Sequence, residues 1–335
     1  MRQWVLVGVG AMVLVAVVLT LNFYQLPVVA LSPGPAEDVL SRIKVADSTH
    51  VYDSKGKLFL TSVGIDDNVR FYQAILDFAN PDVQLRPRQE LFPKGQSTQQ
   101  VDQQNASDMD ESKQTAMVVA LRQLGYHVEP QSVTVAAVLS GAPADGKLQV
   151  GDRILRVDDA AVSSIKQVQD TIRRHHVGQT VAFTVSRHDA ARTVAVAVGA
   201  DGGQPRVGVA LHEDFGKLPV NLSIDTEDIG GPSAGLMFTL GIIDKLTPGD
   251  LTGGRRIAGT GQIEINQTVD PIGGIDEKLV AAKREGATVF LVPADNCAEA
   301  KAHPPSGLRL VRVRTLTDAL DFLRPKAGDP APQGC

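Results

Sequence analysis

Between Trp4 and Leu21 the chain runs for 18 residues without a charged side chain. A stretch of that kind has few structural options. As a helix rising 1.5 Å per residue it covers about 27 Å, close to the ~30 Å hydrocarbon core of a bilayer. Phe23, Tyr24 and Leu26 extend it with side chains suited to the membrane interface. A helix buried in a globular core rarely stays apolar on every side. A cleaved signal peptide has a shorter apolar region with a small-x-small site close behind it, and Val28-Val29-Ala30 is a poor version of that site. The expectation is an uncleaved transmembrane helix in contact with lipid over residues 4–26, within a tail-and-anchor segment 1–30. Arg2 precedes the run, whereas Glu37 and Asp38 follow it. The positive-inside bias then keeps the N-terminus cytoplasmic and puts the rest of this cell-membrane protein on the extracytoplasmic side.

At 335 residues the chain exceeds one ordinary core, and 43% hydrophobic with 21% charged residues describes a folded protein. A net charge of −5 gives no reason to expect nucleic acid. The two cysteines, Cys297 and Cys335, fit no zinc site, redox motif or disulfide framework, and a bridge between them stays open. The seven histidines are scattered, and adjacent His175 and His176 cannot share a helix face, so no metal or other cofactor is expected. Gly8-x-Gly10 lies inside the apolar run with no strand before it and is no nucleotide fingerprint.

Ser32-Pro33-Gly34-Pro35 breaks the helix and opens a small β-rich region, residues 31–93. Within it Thr49–Tyr52 and Leu58–Val63 read as strands of a hairpin around Asp53–Lys57. Residues 94–108, rich in Gln, Ser and Asp, read as a loop. Met109, Ala116, Met117, Ala120, Leu121 and Leu124 then recur at helical spacing, and Gly125 closes that helix, so 94–125 is a linker and helix.

Residues 126–200 alternate strands at Val133–Leu139, Gly151–Asp158, Thr180–Arg187 and Thr193–Val198 with one helix at Ser164–Arg174. The segment "SGAPADGKLQVGDRILRVDD" resembles PDZ domains of the bacterial protease type. That resemblance implies binding of an extended peptide, often a chain terminus, as an added strand beside a helix. Gly125–Val128 is the candidate for a carboxylate-binding loop. Gly141-x4-Gly146-Lys147 imitates a phosphate-binding loop, but Leu148 stands where Ser or Thr would hold magnesium, so no nucleotide is expected.

The strongest chemical signal is Gly230-Gly231-Pro232-Ser233-Ala234-Gly235, after an alternating Val220–Ile224. Pro232 suits the first position of a helix, which places Ser233 in the first turn. There the backbone N–H groups lack helical partners and carry partial positive charge, a ready site for an oxyanion. Taken alone, such a serine reads equally well as a cap. A second signal is Pro271-Ile272-Gly273-Gly274-Ile275-Asp276-Glu277-Lys278, a tight turn into a helix closed by Gly286. Lys278 falls in the first turn, where the helix dipole disfavours a cation. An unperturbed lysine of pKa about 10.4 is neutral in only about 0.04% of molecules at pH 7. Lowering it to roughly 7–8 costs on the order of 4 kcal/mol, which the fold must impose.

Together the two segments resemble the proteolytic domain of the Lon proteases over about residues 205–325, with Ile257–Ile263 as the strand before the lysine turn. The resemblance implies Ser233 as nucleophile, Lys278 as general base and Thr260 as a residue that positions the lysine, a Ser–Lys variant of triad logic. It departs from the family pattern at Gly230 (an acidic residue in the family), Asp276 (a lysine) and Gln262 (a glutamate). Strands Thr288–Pro293 and Leu308–Val313 and helices near Asp295–Ala302 and Thr317–Leu323 complete this domain, and Lys326–Cys335 reads as a disordered tail.

The expected fold class is therefore α/β: an N-terminal transmembrane helix, a small β-rich region, a PDZ domain and a Lon-type proteolytic domain. The arrangement resembles bacterial PDZ-containing membrane proteases and implies an ATP-independent serine endopeptidase acting on unfolded or flexible polypeptides presented by the PDZ domain. Family resemblance also implies a homo-oligomer, typically a hexamer. The competing readings are a membrane-tethered PDZ scaffold with an inert Lon-like domain, and a subunit that borrows an ATPase.

Overall fold

The computed structural model describes Met12 and residues 25–46, 49–92, 98–226, 229–324 and 333–335. The predicted span, residues 4–26, lies outside these apart from Met12, Gln25 and Leu26. Among the described residues no helix is long and apolar enough to cross a membrane. In chain order the principal strands are β1 (Val28–Asp38), β2 (Lys57–Asp66), β3 (Gln84–Pro87), β4 (Ser132–Val138), β5 (Arg153–Val157), β6 (Thr180–Arg187), β7 (Ala190–Ala197), β8 (Val209–Asp214), β9 (Arg256–Gly259), β10 (Val289–Pro293) and β11 (Arg309–Val313). The helices are α1 (Phe71–Ala79), α2 (Thr98–Gln123), α3 (Ile165–Ile172), α4 (Gly235–Leu246), α5 (Ile275–Arg284) and α6 (Leu316–Leu323). They form two compact units, one discontinuous (residues 1–125 with 220–335) and one inserted in it (126–219). The region 31–93 is therefore no separate domain. Residues 205–219, expected with the proteolytic part, belong to the inserted unit.

The discontinuous unit is built on a six-stranded sheet in the order β11-β10-β9-β2-β1-β3. β9, β10 and β11 run parallel, and β9 also pairs parallel with β2 through Arg256–Gly259 and Lys57–Leu60. β1 pairs antiparallel with both β2 and β3. The expected hairpin over 49–63 does not form. Leu58–Val63 lies in β2, but Thr49–Tyr52 is no strand, and Tyr52 N–H donates instead to Lys245 O. Tertiary pairing with β9 and β1 outcompetes the local turn signal. Nor does Ser32–Pro35 end an element. These residues sit inside β1, where the register shifts between Pro33 and Ala36. β3 pairs β1 only over Val28–Leu31, so the two prolines fall where a missing N–H disturbs one neighbour at most.

Helix α2 covers residues expected to be a loop. Its first turns carry Gln99, Gln100, Asp102, Gln103 and Gln104, which offer no apolar stripe, yet no Gly or Pro interrupts Thr98–Gln123. From Met109 onward it buries Met109, Ala116 and Val118–Leu121, and Gly125 at φ 85° ends the run. α4 is buried from Gly235 to Asp244 and packs with α2 residues in one core with Leu58, Leu60 and Ile257.

Of the tail expected at Lys326–Cys335, residues 326–332 lie outside the described residues, and residues 333–335 are tied down. Arg312 N–H donates to Gln333 O, Gly334 bridges Val311 at the β11 edge, and Cys335 forms a disulfide with Cys297. The two cysteines are 38 residues apart, a separation no spacing rule singles out.

The inserted unit is built on a six-stranded antiparallel sheet, β8-β4-β5-β6-β7 with the short strand Ala160–Ala161 paired to β5, and α3 lies alongside. Ile165, Val168 and Ile172 give α3 one apolar face, packed with Val133, Ile154 and Phe183. Ser164 caps α3 in a reciprocal box with Gln167. Asp152, 1% exposed, takes both Arg187 nitrogens at 2.7 Å, and that guanidinium holds its carboxyl below the usual range. β8 lies beyond the expected boundary at 200. It is an edge strand, paired only with β4 among the described residues, and Ile165 N–H donates to Glu213 at its end.

A Cys335→Ser change tests the C-terminal staple. Closing a loop of 38 residues stabilises by about 2–4 kcal/mol in the chain-entropy picture. Denaturant unfolding of the first unit should weaken by that amount. An unchanged midpoint would show that the bond restrains nothing.

Candidate active site

The sheet, α2 and two glycine-rich turns converge on one point. Gly231, at φ 85°, delivers the chain into a short 3-10 turn, Pro232–Ala234, which leads directly into α4. Helix α2 fixes this turn from outside: Gly231 N–H donates to Asn105 O at 2.8 Å, and Ser112 Oγ donates to Pro232 O at 3.0 Å. The loop after β9 fixes it from inside. Gly261 N–H donates to Ser233 O at 2.8 Å, and Gly261 O accepts from Leu236 N–H at 3.1 Å. A Cβ on Gly235 would stand 2.8 Å from Ile263 Cγ2 and 2.9 Å from Ser112 Oγ, so the sequence must be small there.

The second turn is held with equal care. Asn296, 6% exposed, makes a two-way amide clamp on Ile272: its Oδ1 accepts from Ile272 N–H and its Nδ2 donates to Ile272 O, both at 2.9 Å. Gly274 follows in the left-handed region at φ 68° and starts α5. Neither Asn296 nor Asn105 and Ser112 carries a sequence signal of function, because each acts on backbone that is distant in the chain.

These turns bring all three sequence-selected residues together. Lys278 Nζ lies 2.8 Å from Ser233 Oγ and 3.0 Å from Thr260 Oγ1, and Thr260 Oγ1 donates to Ser233 O at 3.0 Å. Thr260 is fully buried and Lys278 is 3% exposed, whereas Ser233 is half-buried at the floor of a groove of about 1070 Å3. Burial lowers the lysine pKa to about 7, with the neighbouring Glu277 carboxylate pulling weakly the other way. Glu277 itself is 3% exposed, its Oε1 has no partner among the described residues, and burial raises its pKa. Asp276 points elsewhere and accepts from Gln84 at 3.0 Å. Thus Lys278 is the one amine at this turn.

Hydrogen counting fixes the direction of each bond. Thr260 has a single hydroxyl proton and gives it to Ser233 O, so it must accept from the lysine. A neutral amine can donate one N–H to Thr260 and still aim its lone pair at the Ser233 hydroxyl. Ser233 N–H takes part in no backbone hydrogen bond among the described residues and stands at the head of α4. The same groove passes Thr61–Val63 of β2, whose edge is unpaired by β9 beyond Leu60.

A match to the Lon protease (S16) C-terminal proteolytic domain spans residues 225–324, enclosing all three residues. The chain carries a Lon-type serine peptidase domain. A second match, to the PDZ domain, spans residues 99–198 and so begins inside α2, before the compact unit that starts at Tyr126. Lon protease of Phenylobacterium zucineum (strain HLK1) is 39% identical over 103 residues, 30% of this chain and 13% of that protein. Lon protease 2 of Bacillus subtilis (strain 168) is 37% identical over 95 residues, 28% of this chain and 16% of that protein. The chain thus spans under a fifth of either relative's length, and the likeness is one of domains. The crystal structure of the PDZ domain of the SdrC-like protein from Listeria monocytogenes is 30% identical, covers 26% of this chain and 93% of that one, and has a TM-score of 0.24.

In the PDZ unit a groove of about 850 Å3 lies between α3 and the edge strand β8, lined by Ile165, Ile172, Val209 and Leu211. Residues 125–128 do not line it. The turn that heads β8, Arg206–Val209 with Gly208 at φ 80°, lines it instead. In the imitation phosphate loop, Gly141 N–H donates to the Asp145 carboxylate at 2.8 Å.

The buried amine has a thermodynamic signature. Below pH 7 the lysine is charged in both folded and unfolded chains, and the folded state bears the whole desolvation cost, on the order of 5 kcal/mol. As pH rises from 7 towards the ordinary lysine value, the folded amine is neutral while the unfolded one still binds a proton, so stability recovers. Lys278→Met should therefore stabilise the fold by about 1–3 kcal/mol at pH 6, after the lost bonds to Ser233 and Thr260. The gain should shrink steadily by pH 10 in denaturant titrations. A variant less stable than the parent at every pH would contradict the desolvated amine.

Proposed function

We propose that this chain is a membrane-anchored endopeptidase in which Ser233 is the nucleophile, Lys278 the general base and Thr260 the residue that orients the base. The observation that carries this reading is the 2.8 Å contact between a buried amine of pKa about 7 and the Ser233 hydroxyl. The neutral amine takes the Ser233 proton as Oγ bonds to the substrate carbonyl carbon, and the charge on the carbonyl oxygen develops beside Ser233 N–H. The resulting ammonium returns its proton to the departing amine, leaving an acyl-serine. The same amine then draws a proton from water, which displaces the acyl group and restores the hydroxyl.

Substrate class follows from the groove. The free edge of β2 beside Ser233 suits a chain in extended form, which a folded domain does not offer. The α3–β8 groove of the PDZ unit suits the same kind of ligand, and on this reading it recruits polypeptide segments for cleavage. Residues 4–26 supply the anchor. The Cys297–Cys335 disulfide favours an oxidising compartment, which supports placing the peptidase outside the cytoplasm. No nucleotide enters this chemistry.

Full chain in detergent or vesicles should cleave an unfolded protein without added nucleotide, and Ser233→Ala should abolish cleavage. The rate with substrate below saturation should climb about tenfold per pH unit up to pH 7 and then level off, because only the neutral amine is a base. Thr260→Ser should retain most activity, and Thr260→Val should lose about 10–100-fold in kcat with the inflection moved. Undiminished cleavage by the Ser233 variant would remove the mechanism and leave the peptide-binding scaffold.

A further inference from the structure

Helix α1 is inside out. Its sequence, Phe71-Tyr-Gln-Ala-Ile-Leu-Asp-Phe-Ala79, has two polar positions, Gln73 and Asp77, one turn apart on a single face. In a surface helix that face meets water and the apolar face meets the core. Here the polar face turns inward. Gln73 Nε2 donates to Asp66 at 2.6 Å, and Asp77 is half-buried, with its Oδ2 fully covered. The apolar face turns outward: Tyr72 is 50% exposed, Ile75 56%, Leu76 64% and Phe78 86%. No residue of α1 is buried. Four large apolar side chains on one nine-residue helix form a contiguous patch of the kind soluble surfaces avoid.

The position of α1 in the fold says what covers it. Leu26 N–H donates to Val69 O at 3.0 Å, and Gln25 bridges Arg70, the residue before α1. The chain therefore leaves the apolar run of residues 4–26 at the point where α1 begins. Val69 and Phe71 are two residues apart, so α1 starts within about 7 Å of that point, and its nine residues extend it by about 14 Å. The headgroup layer on each side of a bilayer is about 5–8 Å thick. A helix so close to the emerging span has a membrane surface beside it.

We infer that α1 is a second membrane contact, lying in the interface with Tyr72, Ile75, Leu76 and Phe78 sunk into the acyl boundary. This rests on the anchor proposed above. α1 itself carries no Lys, Arg or His, and exposed Arg70 and Arg86 lie beyond its ends, so the contact is made first by apolar area and does not require anionic lipid. It restrains the peptidase unit at the membrane surface instead of leaving it to swing on a single pivot.

The test uses full-length chain in phosphatidylcholine vesicles. The two native cysteines are bonded to each other, so Phe78→Cys, Leu76→Cys and, as control, Asp321→Cys on α6 each offer one free thiol for a nitroxide. All three sites are exposed, so each variant should fold. The labels at 76 and 78 should relax more with oxygen than with a water-soluble nickel chelate, and the label at 321 should do the reverse. Adding phosphatidylserine should change neither result. Equal nickel accessibility at 78 and 321 would overturn the inference, as would spin–spin broadening at 78 that persists in detergent, since a second copy would then cover the patch. Alkaline carbonate extraction separates the two readings: release of the chain sinks the anchor itself, whereas retention with a water-exposed label at 78 sinks only the contact of α1.

Discussion

A buried amine beside a hydroxyl is the constraint around which the first unit is organised. Water would protonate the amine at once, so Lys278 must be sealed from it, and Ser233 must still be reachable by a chain. The fold meets both demands by placing them on different elements. Lys278 rises from the first turn of α5 under the sheet, whereas Ser233 sits on a 3-10 turn at the groove floor. Thr260 joins them, giving its proton to the serine carbonyl and its lone pair to the amine. Sealing the amine works against stability, and the large core around α4 offsets that cost.

The precision of the pair comes from residues far off in sequence. Asn105 and Ser112 on α2 take hold of the Ser233 turn, and Asn296 clamps the turn before α5. β2, from before the inserted unit, pairs with β9 from after it and completes the groove wall. The described residues between 25 and 125 thus belong to the peptidase unit as fully as the segment that carries the two glycine-rich motifs. Lon likeness confined to residues 225–324 captures the chemistry and leaves out part of the machinery that aims it.

How far the sequence could be read follows from the same distinction. Ser233 and Lys278 stood out because each sits in a short motif whose glycines and prolines dictate local geometry, whereas Thr260 was singled out only by resemblance to the Lon proteases. Strands β6, β10 and β11 and helix α3 were legible from periodicity and caps. Three things were not. The polar first half of α2 lacks the stripe that marks a helix. The pairing of β2 with β9, and the membership of β8 in the PDZ unit, depend on partners remote in the chain. The disulfide joins cysteines whose separation carries no pattern. Each of these is set by tertiary structure, where sequence-local reasoning has no purchase.

The account stands on the charge state of one amine, which can be observed directly. Lysine labelled with 13C at Cε in the full chain gives a resonance for Lys278 that is assigned by its absence from the Lys278→Met variant. Its chemical shift should titrate with a midpoint near 7, apart from the other lysines. A midpoint at the ordinary lysine value, above 10, would mean that the amine is solvated and charged at neutral pH, and the base on which the mechanism depends would not exist.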